Sequence, residues 1–396
     1  MAQSAAARAV HDAALIIDLH ADTPKLISYG YDLYRRHRTP WPLRRYGGHV
    51  DLPRMRAGNQ AAQLMTLWTF PVPEVGCNRD AHRQLDALEA AVAKGPPDPA
   101  DPGFALCRTG ADIRRARAAG QVALLRGIEG AQALEGHPTP DQPEGPPGGD
   151  DAVAQLARFA GRGLRTLGLL HFSRNALGYP AMGFGQDPSR GLTSVGCAVV
   201  DACAELGVLV DLAHLNRRGF FDVVARRPGP LLVTHTGLAG VTPHWRNIDD
   251  DQLRAVADRG GCIGVIFCPR YTGGAGIDAV VKHLLHIINV VGDEVPALGS
   301  DWDGFIVPTA GLADPTGLPS LTEALLNAGL ILLATVEIVH ESIGHLRGEE
   351  DPKGSIMLVV AVMALFVNGV SAWLLHGAMG HGHHGHDHGH DHDHDH

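Results

Sequence analysis

Six short apolar runs in this 396-residue chain end on, or just before, a residue able to bind a metal or carry a proton. The run 15–19 leads into His20-Ala21-Asp22, and the run 122–125 leads into Gly127-Ile128-Glu129-Gly130. The run 164–170 ends at His171, and 208–212 leads through Asp211 to His214. The run 231–233 meets Thr234-His235-Thr236, and 295–298 meets Ser300-Asp301-Trp302-Asp303. Gathered in one pocket, these side chains offer imidazole nitrogen and carboxylate oxygen and no thiolate. That donor set suits zinc, with manganese, cobalt or iron as alternatives. An H-x-D pair at an extended strand end puts His20 and Asp22 on the same side, because side chains alternate. Two cations about 3.5–4 Å apart need a shared anionic ligand. A glutamate can bridge with its two oxygens, so Glu129 takes that place. His20 and Asp22 would complete one ion, and His214 and His235 the other. Taken singly, a histidine there is more often a hydrogen-bonded core residue and an acid more often a helix N-cap. Six such residues, all at strand ends, resist that explanation.

The residues are nearly 300 positions apart, so the elements between them must converge. Eight apolar runs lie between residues 15 and 301, at the six places above and at 62–67 and 262–267. They are continuous rather than alternating, as befits parallel strands covered on both faces. Helical stretches separate them, among them 80–94, 151–161, 194–206 and 249–259. Eight strands alternating with helices predict a (β/α)8 TIM barrel of the metal-dependent hydrolase type, with a doubly wound sheet as the rival. In a parallel barrel all carboxyl ends of the strands open on one face, which would bring the six sites together. Two Pro/Gly-rich segments, 95–103 and 136–151, read as surface insertions.

Composition narrows the function further. The net charge is −10 and no basic run is present, which argues against nucleic acid as a partner. Six cysteines are scattered without a C-x-x-C pair, so neither a disulfide scaffold nor a thiolate zinc site is expected. The N-terminus has one arginine before a short apolar run and does not read as a signal peptide.

Beyond about residue 320 the character changes. Residues 325–339 are apolar apart from Asn327, Thr335 and Glu337, and 356–375 run twenty residues without a charge. A helix of twenty residues spans about 30 Å, the thickness of a bilayer core. Nine of the chain's 24 histidines fall between His381 and His396, interleaved with Asp and Gly. That tail cannot fold alone, and His381, His383, His384, His386, His388 and His390 would bind zinc, nickel or copper weakly.

The runs DLHADTP (18–24), HVDLPRMRAGNQAAQ (49–63), GIEGAQAL (127–134), GLRTLGLLHFSRNALG (163–178), VTHTG (233–237) and ALGSDWDG (297–304) resemble the membrane dipeptidase (peptidase M19) family. The resemblance covers about residues 10–329. It implies a (β/α)8 barrel with two zinc ions, hydrolysing dipeptides with a metal-bridging hydroxide. His20, Asp22 and bridging Glu129 would hold the first zinc, and Glu129, His214 and His235 the second. His171 matches the histidine that contacts the substrate carbonyl, Arg246 the arginine that engages its carboxylate, and Asp301 the acid that handles protons. Asp303 is the lesser proton carrier, with a supporting role. Ala21 stands where many members carry asparagine.

The family's closing helical segment is missing after 318–329. Instead, 331–346 and 355–377 resemble two membrane helices of the cation diffusion facilitator zinc transporters, and the tail resembles their histidine-rich loop. The expected organisation is a dipeptidase-like barrel over 1–329, a hydrophobic two-helix hairpin over 330–380, and a disordered metal-binding tail over 381–396. Membrane association would run through 330–377; without insertion the chain would be cytoplasmic. The alternatives are a membrane protein of cation handling with a passive barrel, and a non-functional fusion of two genes.

Overall fold

Strands buried on both faces need helices outside and packed side chains within, and the chain alternates to supply both. The computed structural model describes residues 3–37, 45–70, 76–135 and 149–329. They contain β1 (Ile16–Ala21), β2 (Gln60–Trp68), β3 (Phe104–Leu106), β4 (Val122–Glu129), β5 (Leu164–Gly168), β6 (Leu209–Asp211), β7 (Leu232–Thr236), β8 (Cys262–Val265) and β9 (Pro296–Leu298). Every pairing is parallel. β1 pairs with β2 and β9, β2 pairs with β4, and β4 to β9 follow in order, which closes an eight-stranded ring. The fold is a (β/α)8 barrel, and closure excludes the doubly wound sheet.

β3 is the element absent from the sequence reading. It borders only Val122–Leu124 of β4, and β5 joins that edge from Arg126 onward. Three residues are too few for periodicity to reveal. β5 is shorter than its apolar run: it stops at Gly168, so His171 stands in the loop beyond. β7 is longer and carries Thr234, His235 and Thr236 inside the strand.

The helices are α1 (Ala5–Ala13), α2 (Thr23–Ile27), α3 (Leu52–Ala57), α4 (Cys77–Lys94), α5 (Gly110–Ala118), α6 (Gly149–Gly161), α7 (Ser194–Glu205), α8 (Arg217–Arg226), α9 (Asp250–Ala257), α10 (Pro269–Thr272) and α11 (Ile277–Val291), with a last one over 318–329. Reciprocal capping boxes, Thr109 with Asp112 and Asp249 with Gln252, begin α5 and α9. Each satisfies two amide groups that the helix itself leaves unpaired, and caps of this kind contribute about 1 kcal/mol. The two ends of the barrel unit hold each other. The Ser4 amide and hydroxyl both donate to Glu323 Oε2, at 2.8 and 2.9 Å, and His11 Nδ1 meets Thr322 Oγ1 at 2.8 Å.

The chain divides into units Met1–Ala328 and Gly329–His396. The segments expected at 331–346 and 355–377, and the tail histidines, lie outside the described residues. No helix among the described residues is long and apolar enough to cross a membrane.

Two glycines are required by contact rather than by turn geometry. A Cβ on Gly264 or Gly299 would sit 2.0 or 1.9 Å from the Thr234 carbonyl oxygen, so β7, β8 and β9 meet there only without side chains. The loop after β7 is fastened from outside by α11. The Leu238 amide donates to Nδ1 of fully buried His283 at 2.9 Å, and Nε2 of that ring lies 3.3 Å from the Thr272 carbonyl. Such a ring must be neutral, and burial pushes its pKa down to about 4. The unfolded chain then binds one more proton than the native one between about pH 6.5 and 4. Stability from this group is complete above pH 6.5 and is lost as the pH falls toward 4, by on the order of 3 kcal/mol. Urea unfolding of His283→Asn across that range should show a shallower acid loss, by about one proton. Parallel pH profiles for the two proteins would count against a neutral buried His283.

Candidate metal and catalytic site

The carboxyl ends of the strands place the expected residues around one point. His20 lies in β1 and Asp22 directly after it. Asp22 occupies the N-cap position of α2, yet its side chain makes no capping hydrogen bond. Its φ of −90° and ψ of 19° are not the extended conformation expected from alternation, but its Oδ1 still lies 3.5 Å from His20 Nε2. Glu129 ends β4, His235 lies in β7, and His214 follows β6. Glu129 Oε1 is 3.0 Å from His214 Nε2, 3.4 Å from His235 Nε2 and 3.7 Å from His20 Nε2. Asp301 Oδ1 lies 3.9 Å from His20 Nε2. Three overlapping trios therefore have ligand atoms within 4.8 Å of one another: His20, Asp22 and Glu129; Glu129, His214 and His235; His20, His235 and Asp301.

His171 and Arg246 stand at the edge of this cluster. His171 Nε2 is 3.6 Å from Glu129 Oε2, and its ring meets His214 edge-on at 4.8 Å. Arg246 is buried, with Nη2 donating to the His235 carbonyl at 2.9 Å and Nε left without a partner. Asp303 does not join the cluster. Its carboxylate accepts from the Thr23 hydroxyl and the His49 amide, both at 2.7 Å, and so ties the loops after β1 and β9 together.

The electrostatics of these residues are those of a cation site. Burial pushes Asp22 up to about 7, with Glu129 adding to the rise, and burial likewise pushes Asp301 well above the carboxylate range. Burial also holds His214 and His235 well below their ordinary value, so both rings are neutral. For Glu129 burial is outweighed by His171 and His20, which hold it well below the usual range. Burial opposes protonation of His20, but Glu129 and Asp22 raise it well above its ordinary value. One imidazolium thus faces one ionised carboxylate, Glu129, and two acids, Asp22 and Asp301, that are pushed toward holding protons. At about 4 Å and an effective dielectric near 20, each unit charge pair is worth about 4 kcal/mol, so without a cation the three acids do not ionise together. Meanwhile His20 Nε2 and Asp22 Oδ1 are buried without hydrogen-bond partners, and His214 Nε2 and His235 Nε2 face each other at 3.0 Å. Two such nitrogens share at most one proton. Divalent cations relieve all of these faults at once, and the donor set of imidazole and carboxylate is theirs.

Residues to which the sequence assigned no role position the clustered side chains. Thr234 Oγ1 donates to Asp211 Oδ2 at 2.6 Å. The same oxygen accepts from Nδ1 of His20 at 3.2 Å and of His235 at 2.9 Å. With Nδ1 as the donor on both rings, each ring in its neutral form turns an Nε2 lone pair to the cluster. Asp18 performs the corresponding task on β9: it accepts from the Ser300 amide at 2.8 Å and hydroxyl at 2.5 Å, just before Asp301. The signal was present in THT (234–236) and GSD (299–301), but a hydroxyl beside a ligand has no distinctive spacing.

The cluster opens into a cavity of about 760 Å³, lined among others by Arg246, His171, Trp68 and Tyr271. A parallel (β/α)8 barrel with buried imidazoles and carboxylates converging at the carboxyl ends of its strands, under a substrate-sized cavity, defines the class as a metal-dependent hydrolase. Residues 4–332 match the membrane dipeptidase family, peptidase family M19. The chain belongs to that family and is a metal-dependent dipeptidase, hydrolysing peptide bonds. It is 28% identical over 331 residues to an uncharacterized dipeptidase of Schizosaccharomyces pombe, covering 78% of this chain and 73% of that protein. Its structure is similar to a metallopeptidase of Rhodobacter sphaeroides bound to a phosphinate mimic of the dipeptide L-Ala-D-Ala. There the TM-score is 0.66 and the identity 27%, with 80% of this chain and 93% of that one covered. It is also similar to dipeptidase AC, an M19 metallopeptidase, with TM-score 0.64 and 28% identity over 80% and 92% of the two chains.

Thr234→Val keeps the shape and removes the hydroxyl. Losing both ring anchors should weaken divalent metal affinity by about 10- to 100-fold, as loss of a supporting hydrogen bond to a ligand does. Competition against a metal-binding dye reads this directly; unchanged affinity would mean that packing alone orients His20 and His235.

Proposed function

We propose that the chain cleaves dipeptides at two zinc ions that share Glu129. His20 and Asp22 hold one ion with it, and His214 and His235 the other. The observation that carries this reading is the reach of one carboxylate oxygen, Glu129 Oε1, to three imidazole Nε2 atoms within 3.7 Å. A buried carboxylate shared by two ligand trios is the arrangement a cation pair requires. When bound, such a pair supplies Lewis acidity that brings the pKa of water toward neutrality and polarises a carbonyl.

The protein's own groups do the rest. Asp301 lines the cavity beside His20, in position to take a proton from the attacking water and return it to the leaving amine. The C–O bond forms first and moves the carbonyl π electrons onto oxygen; as the carbonyl re-forms the C–N bond breaks, and the proton ends on nitrogen. His171, at the rim and 17% exposed on its side chain, can donate to the carbonyl oxygen as charge develops there. Arg246 is already held by the His235 carbonyl and lines the cavity, so its guanidinium is placed for the terminal carboxylate of the substrate. A buried guanidinium at that point favours short peptides with a free C-terminus.

Glu129→Gln retains the shape and removes the shared charge. We expect kcat/KM for a dipeptide to fall by about a thousandfold or more, and bound zinc to fall below two per chain by elemental analysis. Chelation should abolish wild-type turnover and added zinc restore it. Full activity in the glutamine variant would rule out a bridging role for this carboxylate.

A further inference from the structure

Large apolar side chains exposed singly on a surface need no explanation, but a group of them around a cavity does. Tyr46, Phe70, Phe184 and Phe305 are 38, 52, 84 and 70% exposed, and all four line the cavity above the metal-ligand cluster. Tyr46 and Phe305 stack, with ring centroids 6.2 Å apart and planes at 25°. Phe305 is also held at φ 60°, a left-handed conformation unfavourable for a bulky side chain. An aromatic kept strained and mostly exposed serves neither the core nor the backbone.

Position around the ring assigns the aromatic group to one part of the substrate. Phe305 follows β9, Tyr46 follows β1 and Phe70 follows β2, three strands adjacent in the barrel. Arg246 and Arg270 follow β7 and β8, across the cavity from that arc, while Arg45 lines it beside Tyr46. The segment before Phe305 touches the cluster: a Cβ on Gly304 would lie 2.2 Å from Asp301 Oδ1 and 3.0 Å from Asp22 Oδ2. Two extended residues span about 7 Å. A dipeptide anchored by its carboxylate at Arg246, with its peptide bond over the cluster, therefore carries its first residue toward the β9–β1–β2 arc.

We infer that Tyr46, Phe305 and Phe70 form the subsite for the side chain of the substrate's first residue, and that the enzyme selects dipeptides beginning with a large apolar or aromatic residue. This rests on the dipeptidase reading above, with Arg246 at the carboxylate. The subsite is open on its solvent side, so it favours size and flatness rather than one shape. Phe172 and Phe184, from the loop after β5, supply the facing wall.

The test is kcat/KM of the zinc-loaded full chain for Phe-Gly, Leu-Gly, Ala-Gly and Gly-Phe. Phe-Gly and Leu-Gly should exceed Ala-Gly by about 10-fold or more, and Phe-Gly should exceed Gly-Phe. In Phe305→Ala and in Tyr46→Ala the ratio of Phe-Gly to Ala-Gly should shrink to about threefold or less, with the change carried by KM. Both side chains are exposed, so neither substitution threatens folding. Equal turnover of Phe-Gly and Ala-Gly, a preference for Gly-Phe, or variants that keep the wild-type ratio would each overturn the subsite. If no dipeptide is cleaved, the dipeptidase reading fails, and equilibrium dialysis decides the subsite separately. Tighter binding of Phe-Gly than Ala-Gly, lost in Phe305→Ala, supports it; equal binding overturns it.

Discussion

Three buried carboxylates, Asp22, Glu129 and Asp301, around one imidazole are the arrangement on which the site depends. Isolated charges of this kind are expelled from protein interiors or neutralised by protons. Without a cation, burial pushes Asp22 and Asp301 toward the protonated form, Asp22 makes no capping bond, and His214 and His235 are too strongly desolvated to carry compensating charge. What the cluster lacks is positive charge that is not a proton, and its donor atoms are of the type that divalent cations prefer. Folding without the cation is then less favourable than folding with it, and metal binding contributes to the stability of the barrel mouth.

The barrel supports this in two ways. Hydrogen bonds from below fix the rings: a single hydroxyl, Thr234 Oγ1, sets the tautomers of His20 and His235 while Asp211 fixes the hydroxyl. Backbone strain sets the direction of the rest. His214, Asp301 and Asp303 all take positive φ, at 64, 62 and 66°. A non-glycine residue in that region costs about 1 kcal/mol or more, and such strain persists only where the surroundings enforce it. Asp303 shows how: its carboxylate grips Thr23 and His49, so the strained turn is held between two loops.

These features explain what was legible in the sequence. The barrel was, because continuous apolar runs such as 122–125 and 262–267 record burial on two faces, and their number records closure. The convergence of His20, Glu129, His214, His235 and Asp301 was, because a parallel barrel gives every strand end the same address. β3 was not, since three residues carry no period. Nor were Thr234 and Asp18, because a hydroxyl or a carboxylate inside a strand looks like any other polar residue until its partner across the barrel is known. The extended geometry expected at Asp22 was wrong in detail: the chain has already turned into α2, and the carboxylate reaches His20 by a different path.

The same distinction separates reaction from selectivity. Groups that act on the scissile bond must be placed to within a fraction of an ångström, so they sit on strands or one to three residues beyond them, where the sheet dictates position. Groups that choose among substrates need only shape a volume, and they come from loops with no common spacing: Tyr46 after β1, Phe70 after β2, Phe184 after β5, Phe305 after β9. Nothing in the order of those four residues announces a shared surface, and only closure of the ring makes Phe305 and Tyr46 neighbours across 259 positions. A change in any of these loops can therefore alter the substrate accepted without moving the clustered imidazoles and carboxylates, because those are held from the strand side of the barrel and the aromatics from the solvent side.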